Sequence, residues 1–299
     1  MDHLSIDLID EVAPHMEAMD YAFFAVLGCV YFIVEHLCIH MYLIFLYPAY
    51  RSFDSKKFHD YRSQHNAFWH AVQATIGSIY CMFYTCGDGK TFFNDQQCRE
   101  VPRYSHVYLI SFSAGYLFVE TFLMLFYIGV NTTLDYQTLL HHVIAFGNYY
   151  LAFWQQDFAV TVGAAFLFLE ISTPFVQMRW LYFHHGLTGA ALLQNINTLL
   201  LFFFFVFGRV FVQLYIVWAY AIDWLALTWF HKEGVPELYK AILVEMAIAV
   251  LINMILNFYW SFLIVRQVWR MFTRGGKADK DFAGDEVDDD KQTESNNLD

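Results

Sequence analysis

Apolar residues gather into long runs separated by short polar stretches, and most of the runs are near the roughly 20 helical residues that cross about 30 Å of hydrocarbon. They occupy Tyr21–Tyr47, Asn66–Cys86, Ser105–Val130, Leu139–Trp154, Asp157–Trp180, Thr198–Leu225 and Tyr239–Val265. Since a lone span in lipid satisfies its backbone groups only as a helix, the pattern predicts an all-α polytopic bundle of seven helices, the fourth short. Six spans remain possible if the fourth and fifth runs form a re-entrant hairpin. In the fifth run, Ser172-Thr173-Pro174 removes a backbone donor and predicts a kink one turn beyond Glu170. Ser172 or Thr173 is then expected to help satisfy the groups this frees.

Composition strengthens the membrane assignment. The 299 residues are 58% hydrophobic and 20% aromatic but only 15% charged, against about 25% charged in soluble domains. Arg51, Lys56, Lys57 and Arg62 follow the first run, and Arg266, Arg270, Arg274, Lys277 and Lys280 follow the last. Both segments are expected in the cytosol, and seven spans then place the N-terminus outside, where residues 1–20 carry no Lys or Arg. The expected organisation is an acidic extracytosolic N-terminus (1–20), a first transmembrane helix (21–51), a main domain (52–274) and a disordered acidic cytosolic tail (275–299). That tail carries most of the net charge of −12, an acidity that argues against a nucleic-acid partner.

The first 20 residues lack the basic start and short apolar core of a cleavable signal, so the first run is read as a signal anchor. Cys86 and Cys98 flank a loop that this orientation makes lumenal, where either a disulfide or two free thiols fit. Asn131-Thr132-Thr133 is a glycosylation sequon in a cytosolic turn and is expected to be unmodified.

Against so apolar a background, ionisable groups inside the runs stand out, because each is costly in hydrocarbon and marks a partner or a function. His141 and His142 open the fourth run, Glu170 lies in the fifth, Glu120 in the third and Arg209 in the sixth. Neighbours on a helix point about 100° apart, so one imidazole of the pair can line a cavity while the other packs. A cavity imidazole can act as a general base or nucleophile near pH 7, or bind a lipid headgroup. Together with Glu170 the pair can equally form a polar knot between helices. Arg209 is expected to pair with Glu120 or Glu170, or to hold a phosphate or carboxylate headgroup. Asp223, on the same predicted helix, lies too far along it to serve. His36 and His40 share a face without a clear third ligand and are read as packing histidines, so no metal is expected. His65 and His184-His185 read as interfacial. The run Phe202–Phe207 reads as lipid-facing or packing bulk, since it faces too many directions to be a site.

Two motifs go further. Leu140-His141-His142-Val143 with Gly147-Asn148-Tyr149-Tyr150, followed by Leu169-Glu170-Ile171-Ser172-Thr173-Pro174-Phe175-Val176-Gln177-Met178-Arg179-Trp180, resemble the TLC-domain family, which includes the ceramide synthases. Asn66 and His70, and Gly115-Tyr116 with Glu120, extend the resemblance over roughly residues 52–274. In a branch outside the ceramide synthases the second segment reads E-x-S-x-P-F-V-x-x-R-W. Gln177 stands where that branch usually has Asn, and Glu120 where it usually has Asp. The resemblance implies six or seven helices around an elongated cavity that accepts an acyl chain. It points to Glu170, Glu120, His70, Asn66, Asn148, Gln177 and Arg179 as ligand-binding candidates, which Arg209 joins on its charge within an apolar run, and to His141 and His142 as catalytic ones if the protein is an enzyme.

In ceramide synthases, acyl transfer from acyl-CoA is tied to the histidine pair plus a downstream His-Asp and a further Asp. Val162-Gly163-Ala164-Ala165-Phe166-Leu167-Phe168-Leu169 supplies neither His nor Asp before Glu170. The resemblance therefore points first to lipid homeostasis through binding of a membrane lipid or acyl chain, in the endoplasmic reticulum or else the plasma membrane. An acyltransferase with acyl-CoA as co-substrate, and no other cofactor, is the alternative. A transporter comes third, because no inverted repeat or paired broken helices are visible.

Overall fold

The computed structural model describes residues 18–155, 158–184, 191–220 and 237–273. Residues 1–17, His185, Asp223 and the acidic tail lie outside these. Every described element is a helix or a turn, and the protein is a polytopic membrane helix bundle. In chain order the helices are α1 (Ala18–Leu46), α2 (Ser55–Phe83), the single turn α3 (Gln96–Glu100), α4 (Tyr104–Leu123), α5 (Thr133–Gln155), α6 (Phe158–Phe166), α7 (Thr173–His184), α8 (Ala191–Phe203), α9 (Val212–Tyr220) and α10 (Glu237–Thr273). A 3₁₀ segment, Leu167–Ser172, joins α6 to α7, and a π-type segment, Phe204–Phe211, joins α8 to α9. The seven apolar runs thus correspond to seven helical rods, two of them broken in the middle.

Five rods are long and apolar enough to cross a bilayer: Ala22–Leu46, Tyr104–Ile128, Ala159–Tyr182, Leu192–Ala219 and Val244–Thr273. Of the two others, α2 is polar for a reason the packing makes plain. It packs against α1, α4, α6, α7 and the 3₁₀ segment, and Ser63, Asn66, His70, Thr75 and Ser78 are buried along it. Those polar side chains can bond across the interfaces, which leaves α2 only a narrow exposed apolar stripe of Trp69, Ile76 and Phe83. Lipid-facing helices show the opposite pattern. Only 22% of the apolar window in α1 and 17% of that in α10 is buried, against 56% in α4, and Val30, Val34, Leu37, Ile248, Leu251, Ile255 and Phe262 stand exposed. These rows match a hydrocarbon solvent rather than water.

Local signals fix the ends. Asp54 accepts from the Lys57 backbone N–H at 2.9 Å and starts α2. Thr132 Oγ1 accepts from the Asp135 N–H at 3.1 Å while Asp135 accepts from Thr132 at 2.9 Å, a capping box that starts α5. Where α1 crosses α4 the backbones nearly touch, since a Cβ on Gly115 would overlap Gly28 and Cys29. Only small residues permit that approach.

The loop between α2 and α4 is closed by a Cys86–Cys98 disulfide. Asp95 caps α3 at its base, and the Cys98 N–H at 3.0 Å holds the Asp95 carboxyl below the ordinary carboxylate range. Alkylation of the denatured, unreduced protein is expected to label three cysteines, Cys29, Cys38 and Cys81, and all five after reduction. Five labels without reduction would show that the disulfide does not form.

Candidate functional site

The break in the fifth rod builds the site. Pro174 has no N–H, and its ring crowds the carbonyl four residues back, at Glu170. The chain responds by tightening into 3₁₀ geometry over Leu167–Ser172, with the Thr173 N–H bonding the Glu170 carbonyl. In an α-helix that N–H would have gone to Leu169. The Leu169 carbonyl is thereby released, and Arg209 Nε donates to it at 2.7 Å. The kink expected one turn beyond Glu170 is thus a tightened segment that contains Glu170. The freed Leu169 carbonyl is satisfied from the sixth rod, while Thr173, as expected, helps satisfy nearby groups, the Glu170 carboxylate and the Arg209 guanidinium, through its hydroxyl.

Arg209 sits in the π-type segment, whose extra residue per turn turns the side chain toward the break. Gly208 makes the approach possible, because a Cβ there would come within 2.6 Å of the Ile171 side chain. The guanidinium reaches Glu170 Oε2 at 3.4 Å and Thr173 Oγ1 at 2.8 Å, while Nη1 donates to Asn257 Oδ1 at 3.5 Å. Thr173 in turn donates to Glu170 Oε2 at 2.6 Å. Of the two acids the sequence offers Arg209, the partner is Glu170.

This cluster closes the polar end of a cavity of about 880 Å³, mouth included. His70, Ser113, His141, Glu170, Arg209 and Asn257 line that end; Asn148 and Asn253 lie beside them. Ala152, Ala159, Val162, Phe166, Met246 and Val250 make the rest apolar. The polar groups sit near the middle of their rods, so the apolar part extends toward the end of the bundle that carries the disulfide. His141 is further placed by Trp260, 5.9 Å away ring to ring, whose indole N–H donates to Gln137 Oε1 at 2.8 Å. His70 donates to or accepts from Ser113 Oγ at 3.2 Å and stacks on Tyr116 at 3.7 Å.

The other candidates lie elsewhere, for reasons of geometry. His142 does not line the cavity: its ring lies 6.0 Å from that of His141, is buried, and packs edge-on against Tyr116 at 6.1 Å. Glu120 and Asn66 belong to a second knot between α1, α2 and α4. There Glu120 Oε1 contacts His36 Nε2 at 3.0 Å and accepts from Asn66 Nδ2 at 2.9 Å, while Ser63 donates to Oε2. Arg179 is buried against Thr198 Oγ1 at 3.3 Å and the Gln267 amide. Gln177, on the same helix, is outside the cavity wall. His40 contacts Tyr50, and His65 contacts its own helix at the Tyr61 carbonyl. In the phenylalanine run, Phe205 is buried and Phe203 and Phe207 are exposed.

Sequence reasoning passed over Ser113, Asn253 and Asn257. The asparagines had a readable signal: two amides four residues apart share a face of an otherwise apolar helix, and Asn257 Nδ2 indeed donates to Asn253 Oδ1 at 3.3 Å. Asn257 also donates to Gln213 Oε1 at 2.8 Å, tying α9 to α10.

Comparison with known proteins agrees with this architecture. The curated relative "TLC domain-containing protein 4 A" of Dictyostelium discoideum is 24% identical over 213 residues, covering 68% of this chain and 74% of that protein. The profile of the TLC domain matches residues 60–266, which take in every cavity residue named above. The match covers more than half of the chain, and the protein belongs to the TLC domain family.

Proposed function

We propose that the protein holds a lipid or acyl chain in this intramembrane cavity and acts in membrane-lipid homeostasis, through sensing, trafficking or control of membrane composition. The carrying observation is the cavity's division into an apolar length and a polar end at mid-rod, the arrangement an amphiphile fills. Family membership supports a lipid-related role. The test is native mass spectrometry of the purified protein, comparing wild type with the His141→Ala/His142→Ala variant. A co-purifying lipid is expected in the wild type and reduced occupancy in the variant; an empty wild-type cavity would sink the proposal.

A second reading is an acyl-CoA-dependent acyltransferase. One placement favours it: His141 lines the cavity, where it could take a proton from an amine or hydroxyl. On that reading His141 is the reactive histidine and His142 a packing one. Turnover of acyl-CoA with a lipid amine or alcohol would then vanish in His141→Ala.

For location, the proposal is the endoplasmic reticulum, with a lumenal N-terminus and a cytosolic C-terminus. The Cys86–Cys98 disulfide supports this, since such a bond forms on the oxidising side. The basic residues around Arg51–Arg62 lie toward the opposite end of α2.

A further inference from the structure

Charge accounting at the polar end of the cavity narrows the ligand. Besides the imidazoles, its acidic and basic lining residues are Glu170 and Arg209, and these two form an ion pair, so their charges sum to zero. Arg209 has little left to offer an anion. A guanidinium has five N–H groups, and four bonds are already made, to Leu169, Asn257, Glu170 and Thr173. Both Glu170 and Arg209 are thus held by protein groups, and the remaining lining side chains are neutral amides, a hydroxyl and imidazoles that are mostly neutral near pH 7 at their ordinary value.

An ionised phosphate or carboxylate would bring an uncompensated charge into a site whose lining cation, Arg209, is already paired with Glu170. An ammonium would do the same, since the lining carboxylate is held by that pair.

We infer that the cavity selects an amphiphile with an uncharged polar end, such as an alcohol or amide, and that it rejects anionic and cationic headgroups. This rests on the lipid-binding reading above and specifies the ligand class for the same site. Arg209 is on this account a positioning residue that braces the Glu170 end of the cavity and does not bind a headgroup.

The experiment measures binding of a chain-matched panel, hexadecanol, hexadecyl phosphate and hexadecylamine, to the full-length protein in neutral detergent after delipidation, read as a thermal-stability shift and by native mass spectrometry. Hexadecanol is expected to bind at least tenfold more tightly than either charged probe. Tighter binding of the phosphate or amine, or equal binding of all three, would overturn this inference and leave the lipid-binding proposal standing. No binding of any probe, together with no co-purifying lipid, would overturn both.

Discussion

Arg209→Ala is expected to be among the most damaging single substitutions in this protein, with a loss on the order of 3–5 kcal/mol, the usual cost of removing one partner from a buried ion pair. Two magnitudes decide why. Its hydrogen bonds to the uncharged acceptors on Leu169, Thr173 and Asn257 are individually modest, since interhelical bonds in membrane bundles average about 0.6 kcal/mol and reach about 1.7. The stranded charge is larger: Glu170 would be left in a buried setting with only Thr173 to face it, and the Leu169 carbonyl would lose its donor. Glu170→Ala should be comparably harmful, stranding Arg209, which is only 7% exposed. The double variant should then cost clearly less than the sum. Strict additivity in thermal or denaturant unfolding of the purified protein would show that the two side chains are not coupled. Arg209→Lys should fall between, keeping a charge but losing the planar fork that reaches several acceptors at once.

The same pair marks where sequence reasoning ends. Hydropathy placed every rod, because the bilayer dictates run length and the backbone leaves no alternative to a helix. It trimmed α2 and α5 at their first turns, since Ser55–His65 and Thr133–Thr138 are polar and a hydropathy window does not register a capped polar helix. The caps themselves, Asp54 and the Thr132/Asp135 box, were readable from spacing. Proline at 174 made a break legible. What filled the break was not, because Arg209 reaches Leu169 across 40 residues of sequence through a π-type segment that no hydrophobic pattern announces. The family motif brought Glu120, Asn66, Glu170 and His70 together as one group of candidates. Packing divides them into two separate polar knots, and only side-chain direction decides which faces the cavity.

Glu120 tests that division. Glu120→Leu is expected to cost several kcal/mol, because it removes the acceptor shared by Ser63, Asn66 and His36, orphaning Ser63 and leaving Asn66 and His36 only their 3.1 Å contact with each other, where a buried group left unsatisfied costs about 1–3 kcal/mol. Glu120→Asp, the residue usual at this position in the related branch, keeps the charge but is one methylene short of reaching all three, and should lose much less. The knot ties α1 and α2 to α4 at a point outside the cavity wall. Its loss should therefore lower the thermal midpoint while leaving lipid occupancy per folded molecule, read by native mass spectrometry below that midpoint, unchanged. Glu170→Ala should lower both, because Glu170 lines the cavity and holds Arg209. If Glu120→Leu empties the cavity in protein that is still folded, the two knots are not separate, and Glu120 belongs to the lipid site after all.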